Sequence, residues 1–259
     1  MYFCSISSGS SGNCIYVGSY KTKVLIDAGI SKKAVTSALQ LIKVNPKSIN
    51  GIFITHEHLD HYKGVCTLSR GFDIPVYLNK ATYEALKDKK FDVKKVNILE
   101  DNEFTIGDLD IKMFKLPHDA ADPVGYSIMN NKKRISIATD MGYVSKEVFE
   151  NLKDADVVLI ESNYNEEMVK MSAYPYFLKQ RILSNFGHLS NEQCAKIVVE
   201  LAKISPKKII LGHLSNVNNF PELAYKTVEK ALCINGFKIG SDLELTVAHR
   251  SLPSNYMRI

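Results

Sequence analysis

Three of the seven histidines in this 259-residue chain fall within the short run His-Glu-His-Leu-Asp-His. The run follows Gly51–Ile54, an apolar and largely β-branched stretch that predicts a buried strand. A helix cannot place His56, His58 and His61 on one face, because their spacing is not that of helical turns. We therefore predict a tight loop that leaves a strand and folds these imidazoles, together with Asp60, around a metal ion.

Five further strand-like segments also end in a side chain that can bind a metal. These side chains are Asp27, His118, Asp140, Glu161 and His213. Strand ends from one sheet edge lie close together in space even when they are remote in sequence, and sites in α/β folds collect there. We therefore expect these residues and the histidine run to meet at one edge of a sheet.

The order of the elements favours α/β architecture with mixed sheets. Strand-like runs first follow one another as hairpins, with a turn at Gly107-Asp108, and later alternate with helical patterns such as Asn191–Ile204. Ser190 and Gln193 predict a capping box at the start of that helix. With 45% apolar residues the chain can bury a full core, which excludes disorder and small disulfide scaffolds. We expect a single domain over residues 1–259.

The composition also bears on location. The first residues lack the basic and apolar regions of a signal peptide, and no apolar run approaches the roughly 18 residues of a membrane span. The five cysteines show no Cys-x-x-Cys spacing, which is typical of buried thiols in a reducing compartment. We expect a cytoplasmic protein with no membrane partner. The formal charge of +5 permits nucleic-acid binding without requiring it.

The segment 163–187 follows neither a helical nor a strand period. We interpret it as a flap or long connection that is partly helical near Lys179–Ser184, or as an ordinary packed excursion. Tyr174, Tyr176 and Phe177 lie among its charged residues. Such aromatic side chains either stack on nucleic-acid bases or belong to a core or an interface.

Two polar loops are candidates for substrate contacts. The loop Ser7–Asn13 offers hydroxyl and backbone N–H groups to a phosphate, with Ser10 and Asn13 as the candidate residues. Ser215 and Asn216 follow the last strand-end histidine and offer a hydroxyl and an amide. For both loops the alternative is a simple turn between neighbouring elements.

These motifs resemble those of the metallo-β-lactamase superfamily. The resemblance rests on His-x-His-x-Asp-His, followed by His118, Asp140 and His213. More narrowly, nearly the whole chain is similar to the YycJ/WalJ-type exonuclease group. The matching stretches are Ser8–Asn13, Thr55–Val65, Pro117–Asp119, Ala138–Gly142, Glu161–Asn163, Gly187–Ser190 and Leu211–Asn216. The resemblance implies a four-layer αββα sandwich, with helices outside the sheets and a two-metal site along one sheet edge.

The resemblance also implies a role for each candidate ligand. The implied ligands are His56, His58 and His118 for one ion, Asp60, His61 and His213 for the other, and Asp140 as the bridge. Asp27 would orient a ligand histidine without binding metal itself. Zinc and manganese both suit this ligand set, so the expected cofactors are two divalent ions of either element.

Three comparisons within the superfamily bear on the substrate. Asp140 stands where antibiotic-degrading β-lactamases often have Cys, which argues against an antibiotic. His58 stands where diiron relatives carry Glu, which favours hydrolysis over redox chemistry. Glu161 and His188 precede His213 in an order similar to that of tRNA 3′-processing nucleases, where such a pair assists proton delivery to the leaving group. The alternative for His188 is a helix-start residue without a chemical role.

We therefore predict a two-metal phosphodiesterase that acts on nucleic acid, as a single-strand DNA exonuclease, with DNA preferred to RNA. The catalytic candidates are Asp60, His188 and Glu161, and a metal-bridging hydroxide would attack phosphorus. The interval between Asp140 and His213 is too short for the inserted domain of RNA-processing relatives. A nucleic-acid clamp would thus be smaller, or would come from a second subunit of a homodimer.

Two alternatives remain open from the sequence. One is a hydrolase of a small ester, thioester, lactone or cyclic nucleotide on the same metal core. The other is a binding or regulatory protein whose metal site is structural. The larger ligand set of this chain argues against it, because a closed structural site needs only four ligands.

Overall fold

The computed structural model describes residues 1–205 and 207–259 and contains two seven-stranded β-sheets that pack face to face. The first sheet contains β1 (Tyr2–Ser7), β2 (Cys14–Gly18), β3 (Lys23–Ile26), β4 (Gly51–Phe53), β5 (Val76–Asn79), β6 (Val96–Leu99) and β14 (Ser254–Arg258). The second sheet contains β7 (Glu103–Ile106), β8 (Leu109–Lys115), β9 (Val124–Asn130), β10 (Lys133–Ala138), β11 (Val157–Glu161), β12 (Lys208–Gly212) and β13 (Glu244–Val247). Their spatial orders are β14-β1-β2-β3-β4-β5-β6 and β13-β12-β11-β10-β9-β8-β7.

The helices lie between and after these strands. They are α1 (Lys32–Leu41), α2 (Leu59–Tyr62), α3 (Val65–Phe72), α4 (Lys80–Lys87), α5 (Lys146–Lys153), α6 (Glu166–Met171), α7 (Tyr176–Leu183), α8 (Asn191–Ala202) and α9 (Pro221–Ile234), with a 3₁₀ turn at Pro46–Ser48. The predicted capping box is present, since Ser190 accepts from the backbone N–H of Gln193 and the Gln193 side chain accepts from Ser190. Side-chain caps of this kind satisfy backbone donors that a helix start leaves without partners.

An apolar core fills the space between the two sheets. Ile26 and Phe53 of the first sheet belong to the same buried cluster as Ile111 and Leu159 of the second. Successive side chains of a strand point to opposite faces of the sheet, so each strand also presents residues to the outside. Full burial of one such aliphatic side chain stabilises a protein by about 1.5–3 kcal/mol.

Helices cover the outer face of each sheet. Leu25 of β3 packs in one cluster with Leu39 of α1, and Ile160 of β11 packs in another with Val198 of α8. The layers are therefore helices, sheet, sheet and helices. This arrangement confirms the αββα sandwich predicted from the sequence.

Both sheets change from antiparallel to parallel pairing along their order. Strands β1 to β3 and β7 to β10 pair as antiparallel neighbours, whereas β3 to β6 and β10 to β13 are parallel. The carboxyl ends of parallel strands meet at one edge of their sheet. In both sheets the parallel half therefore gathers the chain segments that follow Ile26, Phe53, Ala138 and Gly212 at such an edge.

The segment 163–187 is more helical than the sequence predicts. It contains α6 and α7, which pack through a small buried cluster of Tyr164, Val169 and Ile182. The helix predicted near Lys179–Ser184 is present as α7, which begins three residues earlier, whereas α6 was not predicted. A three-residue cluster leaves too few apolar positions to produce a helical period over the whole segment. Within the described part of the chain, no helix combines the length and the apolar character that crossing a membrane requires.

Candidate metal centre

The strand-end residues predicted from the sequence lie at one edge of the sandwich. Asp27 follows β3, Asp140 follows β10 and His213 follows β12. All three have a left-handed backbone, with φ of 60°, 65° and 53°. Non-glycine residues seldom adopt this conformation, and it costs of order 1–3 kcal/mol, so it is typical of functional sites.

A first group of possible ligands consists of His56, His58 and His118, whose ligand atoms all lie within 4.8 Å of one another. His56 Nε2 is 3.0 Å and His118 Nε2 is 3.3 Å from His58 Nδ1. His118 Nδ1 lies 2.9 Å from the carbonyl oxygen of Gly187 and must donate to it. This hydrogen bond fixes the tautomer of His118 and leaves Nε2 with a lone pair for a metal.

A second group consists of Asp60, His61 and His213, again with ligand atoms within 4.8 Å of one another. Asp60 Oδ2 lies 3.5 Å from Nε2 of both histidines. His61 Nδ1 donates to Asp27 Oδ2 at 2.7 Å, and Thr55 donates to both oxygens of the same carboxylate. Asp27 therefore stands behind His61, in the orienting position that the resemblance implies.

Asp140 lies between the two groups. Its Oδ2 is 3.2 Å from His61 Nε2, and its Oδ1 is 3.8 Å from His118 Nε2. The side chain is almost fully buried, at 2% exposure. Oδ1 also lies 3.4 Å from His213 Nδ1. The carboxylate is thus within 4 Å of nitrogen atoms from both groups, as a bridging ligand requires.

Two buried atoms of this edge lack a hydrogen-bond partner among the described residues, Asp140 Oδ2 and His213 Nε2. Leaving such an atom unpaired in the interior costs about 1–3 kcal/mol. Both atoms are of types that bind zinc and neighbouring transition metals. The residues present therefore fit divalent ions, and metal binding would satisfy both atoms.

The electrostatic environment differs between the two groups. Burial lowers the pKa of His56 well below its usual value and also lowers the pKa of His58 and His118, so these imidazoles are neutral at pH 7. Burial opposes the charged form of His213 too, but nearby carboxylates, above all Asp140, outweigh it and raise its pKa to about 10. A metal ion must therefore displace a proton from His213, whereas the first group already has its metal-binding form.

Glu161 and His188 form a connected pair beside the second group. His188 Nδ1 donates to Glu161 Oε1 at 2.9 Å, and His213 Nδ1 donates to the same oxygen at 2.8 Å. Glu161 Oε2 accepts the backbone N–H groups of Met141 and Leu189. Because Glu161 is fully buried, its position favours orienting the two imidazoles over direct contact with a substrate.

An open cavity of about 320 Å³ borders the site. Its lining residues are Ser10, His58, Leu59, Asp60, Asp140, Arg181, His188 and His213. The cavity combines candidate ligands from both groups with the predicted proton donor, His188. A ligand in this cavity would therefore contact both groups at once.

The four residues predicted to contact substrate have different surroundings. Ser10 and Asn216 are exposed, and Ser10 lines the cavity. Asn13 is buried, with its amide nitrogen 3.1 Å from His61 Nε2 and 3.4 Å from Asp60 Oδ2. Ser215 is also buried and accepts the N–H of Asn218. Contact with a substrate remains a prediction for all four, and it has less geometric support for the buried pair.

Sequence reasoning assigned no role to two residues of the site, although Asn163 lies in one of the stretches that carry the resemblance. Asn163 donates to the backbone oxygen of His213 at 2.7 Å and holds this ligand in its left-handed conformation. Arg181 enters the cavity wall from α7. The segment 163–187 has no clear period, so no sequence signal assigns Arg181 to this edge.

The sequence and structure resemble known proteins. The family model described as "Beta-lactamase superfamily domain" matches residues 22–214. "Exodeoxyribonuclease YycJ" of Bacillus anthracis is 37% identical over 98% of this chain and 97% of the relative. "Exodeoxyribonuclease WalJ" of Streptococcus pneumoniae is 40% identical over 93% of this chain and 91% of the relative.

Solved structures extend the likeness to the fold. The metallo-β-lactamase fold protein YhfI from Bacillus subtilis superposes with a TM-score of 0.72 at 17% identity, with 98% of each chain covered. The identity is low, so this likeness concerns the architecture alone. The family model and the two relatives show that the chain belongs to the β-lactamase superfamily and, within it, to the family of YycJ and WalJ.

Proposed function

We propose that the chain is a metal-dependent exodeoxyribonuclease that hydrolyses phosphodiester bonds at the ends of single-stranded DNA. The observation that carries the proposal is the pair of ligand groups on either side of Asp140, both of which border one open cavity. An open position favours an enzyme over a structural metal site, which is closed by its four ligands. The names of the relatives from Bacillus anthracis and Streptococcus pneumoniae support DNA as the substrate.

Two divalent ions fit this edge, and zinc and manganese both suit its nitrogen and oxygen ligands. The proposed ligands are His56, His58 and His118 for the first ion, Asp60, His61 and His213 for the second, and Asp140 between them. When bound, the ions would supply Lewis-acid chemistry toward a phosphate group and a water molecule.

The residues around the ions would complete the chemistry. His188 lines the cavity, and its hydrogen bond to Glu161 uses Nδ1. In the protonated imidazolium form the second ring nitrogen also carries a proton, which His188 would give to the departing oxygen of the DNA backbone, leaving the ring neutral with its Nδ1–H still bonded to Glu161. Glu161 positions His188 and His213 with one carboxylate oxygen, while its other oxygen is anchored by backbone N–H groups.

Three finer statements belong to the same proposal. Residues 1–259 act as one domain, the protein works in the cytoplasm, and a homodimer supplies the additional surface for nucleic acid. Light scattering of the purified protein tests whether it is a homodimer. We expect a mass of twice 29.0 kDa, the mass of one chain.

A substrate panel tests the proposed activity. Protein loaded with Mn²⁺ or Zn²⁺ is incubated with 5′- and 3′-labelled single- and double-stranded DNA, RNA, a cyclic nucleotide, a lactone and a thioester. We expect single-stranded DNA to be degraded fastest. We also expect Asp60→Asn, which removes one ligand charge at constant size, to lose this activity.

Asp110→Asn is the matched control. Asp110 is exposed at the beginning of β8, and the site lies at the other end of that strand, which His118 follows. Its activity should equal that of the wild type. Rapid turnover of the lactone or thioester, with no cleavage of nucleic acid in either metal, would contradict the proposal and favour a small-molecule hydrolase.

A further inference from the structure

We propose that the outer face of α7, formed by Phe177 and Arg181, binds the single-stranded substrate next to the metal cavity. Arg181 contacts a backbone phosphate and Phe177 stacks on the neighbouring base. This inference rests on the proposed exonuclease function and assigns the substrate-binding surface of the same site.

Arg181 is the link between α7 and the metal cavity. Its side chain lines the cavity, and its guanidinium group makes a two-pronged ion pair with Asp119 through Nε and Nη2. Asp119 in turn lies 3.4 Å from His118 Nε2. The ion pair fixes the direction of the planar guanidinium group, and it leaves the donors of Nη1 for an anion in the cavity.

Asp119 also determines what kind of contact Arg181 can make. Because the pair has no net charge, Arg181 adds little long-range attraction for DNA. Its contribution is directional, since a phosphate can accept hydrogen bonds from the remaining N–H groups of a fixed guanidinium. Such a contact selects for a phosphate placed at the cavity mouth.

Phe177 lies four residues before Arg181 on the same helix. Residues at this spacing are neighbours on one helix face, about one turn or 5.4 Å apart. Leu178 and Ile182, which are also four residues apart, occupy the inner face and pack with Val169. The Phe177 side chain therefore stays outside and is 74% exposed.

A large exposed aromatic side chain next to a phosphate-binding group is the arrangement that single-strand binding proteins use. Bases stack on aromatic rings while basic side chains follow the backbone, and this binding tolerates sequence changes because every base has a π-face. Tyr176, the preceding residue, is also exposed, at 77%. An exonuclease that works along a strand needs such sequence tolerance.

The end of α7 is tied to the metal site, which favours DNA over another protein as the occupant. The backbone N–H of Asp119 donates to the carbonyl of Phe186, and His118 donates to the carbonyl of Gly187. Arg181, one helical turn after Phe177, lines the cavity, so a strand bound by both residues would lie at the cavity. A second copy of the chain on this face would instead block the cavity mouth.

Fluorescence anisotropy with metal-loaded protein tests this assignment. The probes are labelled single-stranded oligodeoxynucleotides with phosphorothioate linkages that resist cleavage, either with all bases or with abasic positions throughout. We expect Phe177→Ala to weaken binding of the complete strand about tenfold and to leave binding of the abasic strand unchanged. Arg181→Gln should weaken both by a similar factor, about tenfold, because it acts on the backbone.

The chain contains no tryptophan, so Phe177→Trp introduces a single fluorescent reporter of stacking. Its emission should be quenched by the complete strand and not by the abasic strand. Tyr20→Ala is the matched control, because Tyr20 is an aromatic side chain of similar exposure, at 79%. Tyr20 precedes the beginning of β3, and the site lies at the other end of that strand. This variant should bind both strands like the wild type.

Three results would overturn the assignment. The first is that both Phe177→Ala and Arg181→Gln bind the complete strand with an affinity within twofold of the wild type. The second is that Phe177→Ala weakens binding of the complete strand and of the abasic strand equally. The third is that Phe177→Ala has a lower mass than the wild type in light scattering but the same affinity for DNA. That result would assign this face of α7 to contact with a second copy of the chain. If the wild type itself degrades no DNA, the proposed function fails instead, so the two failures are distinguishable.

Discussion

The two sides of the metal site, a buried wall of ligand side chains and an exposed wall formed by α7, are built in opposite ways. On one wall the ligand side chains are buried and connected, as for His61, which has no exposed surface and is bonded to Asp27. On the other wall, α7 presents Phe177 and Arg181 to solvent, and one ion pair with Asp119 holds the arginine. Reacting groups need placement within about 0.5 Å, whereas a strand of varying sequence needs adaptable contacts.

The difference separates chemistry from substrate binding. Changes in the buried wall should lower the turnover number and the metal content. Changes in the exposed wall should raise KM for DNA and leave the metals in place. The following variants test this separation.

Asp140→Ala should have the largest effect. The substitution removes the carboxylate that faces both ligand groups, so we expect a loss of activity of about a thousandfold or more, the size that several kcal/mol of transition-state stabilisation implies. Metal analysis by mass spectrometry should show fewer ions per chain than in the wild type. Full metal content with normal activity would remove Asp140 from the site.

His188→Ala should lower the turnover number by about a hundredfold, the usual contribution of a positioned proton donor. The metal content should stay at the wild-type value, because His188 is not among the proposed ligands. His188→Asn is the matched variant, since it can hydrogen-bond to Glu161 but cannot deliver a proton. If Asn restores the activity, His188 is a positioning residue and not a proton donor.

The histidine run and the strand-end carboxylates could be predicted from the sequence, because few residue types bind metals and each follows an apolar strand. The shared contact of Glu161 with His188 and His213 could not, because it depends on the register between β11 and β12.

The exposed wall and the edge strand β14 could not be predicted from the sequence either. Arg181 lies in a segment with no period, and β14 is an edge strand of polar composition that pairs with β1. In both places tertiary contacts, and not the local pattern, determine the conformation.

Asp27→Asn should weaken metal binding by about tenfold, the lower end of the effects seen when a group that orients a ligand is changed. The physical reason is that the neutral amide no longer strengthens the basicity of His61 through its Nδ1 hydrogen bond. Competition with a chelator measures the affinity, and Asp110→Asn again serves as the control. Unchanged affinity would show that Thr55 and the backbone suffice to orient His61.

Tyr176→Ala should have the smallest effect. Because Tyr176 is 77% exposed, its loss should change the free energy of unfolding by no more than about 0.5 kcal/mol. We expect the turnover number at saturating DNA and the metal content to stay at the wild-type values, with KM moderately raised. A loss of bound metal in this variant would show that the two walls are coupled.

The central claim is that this sheet edge holds two metal ions in two groups of ligands that Asp140 connects. Anomalous X-ray scattering at the absorption edge of the added metal tests it most directly, in crystals of the wild-type protein loaded with Mn²⁺ or Zn²⁺. We predict two peaks, one among His56, His58 and His118 and one among Asp60, His61 and His213. A single peak, or none at this edge, would contradict the two-metal centre.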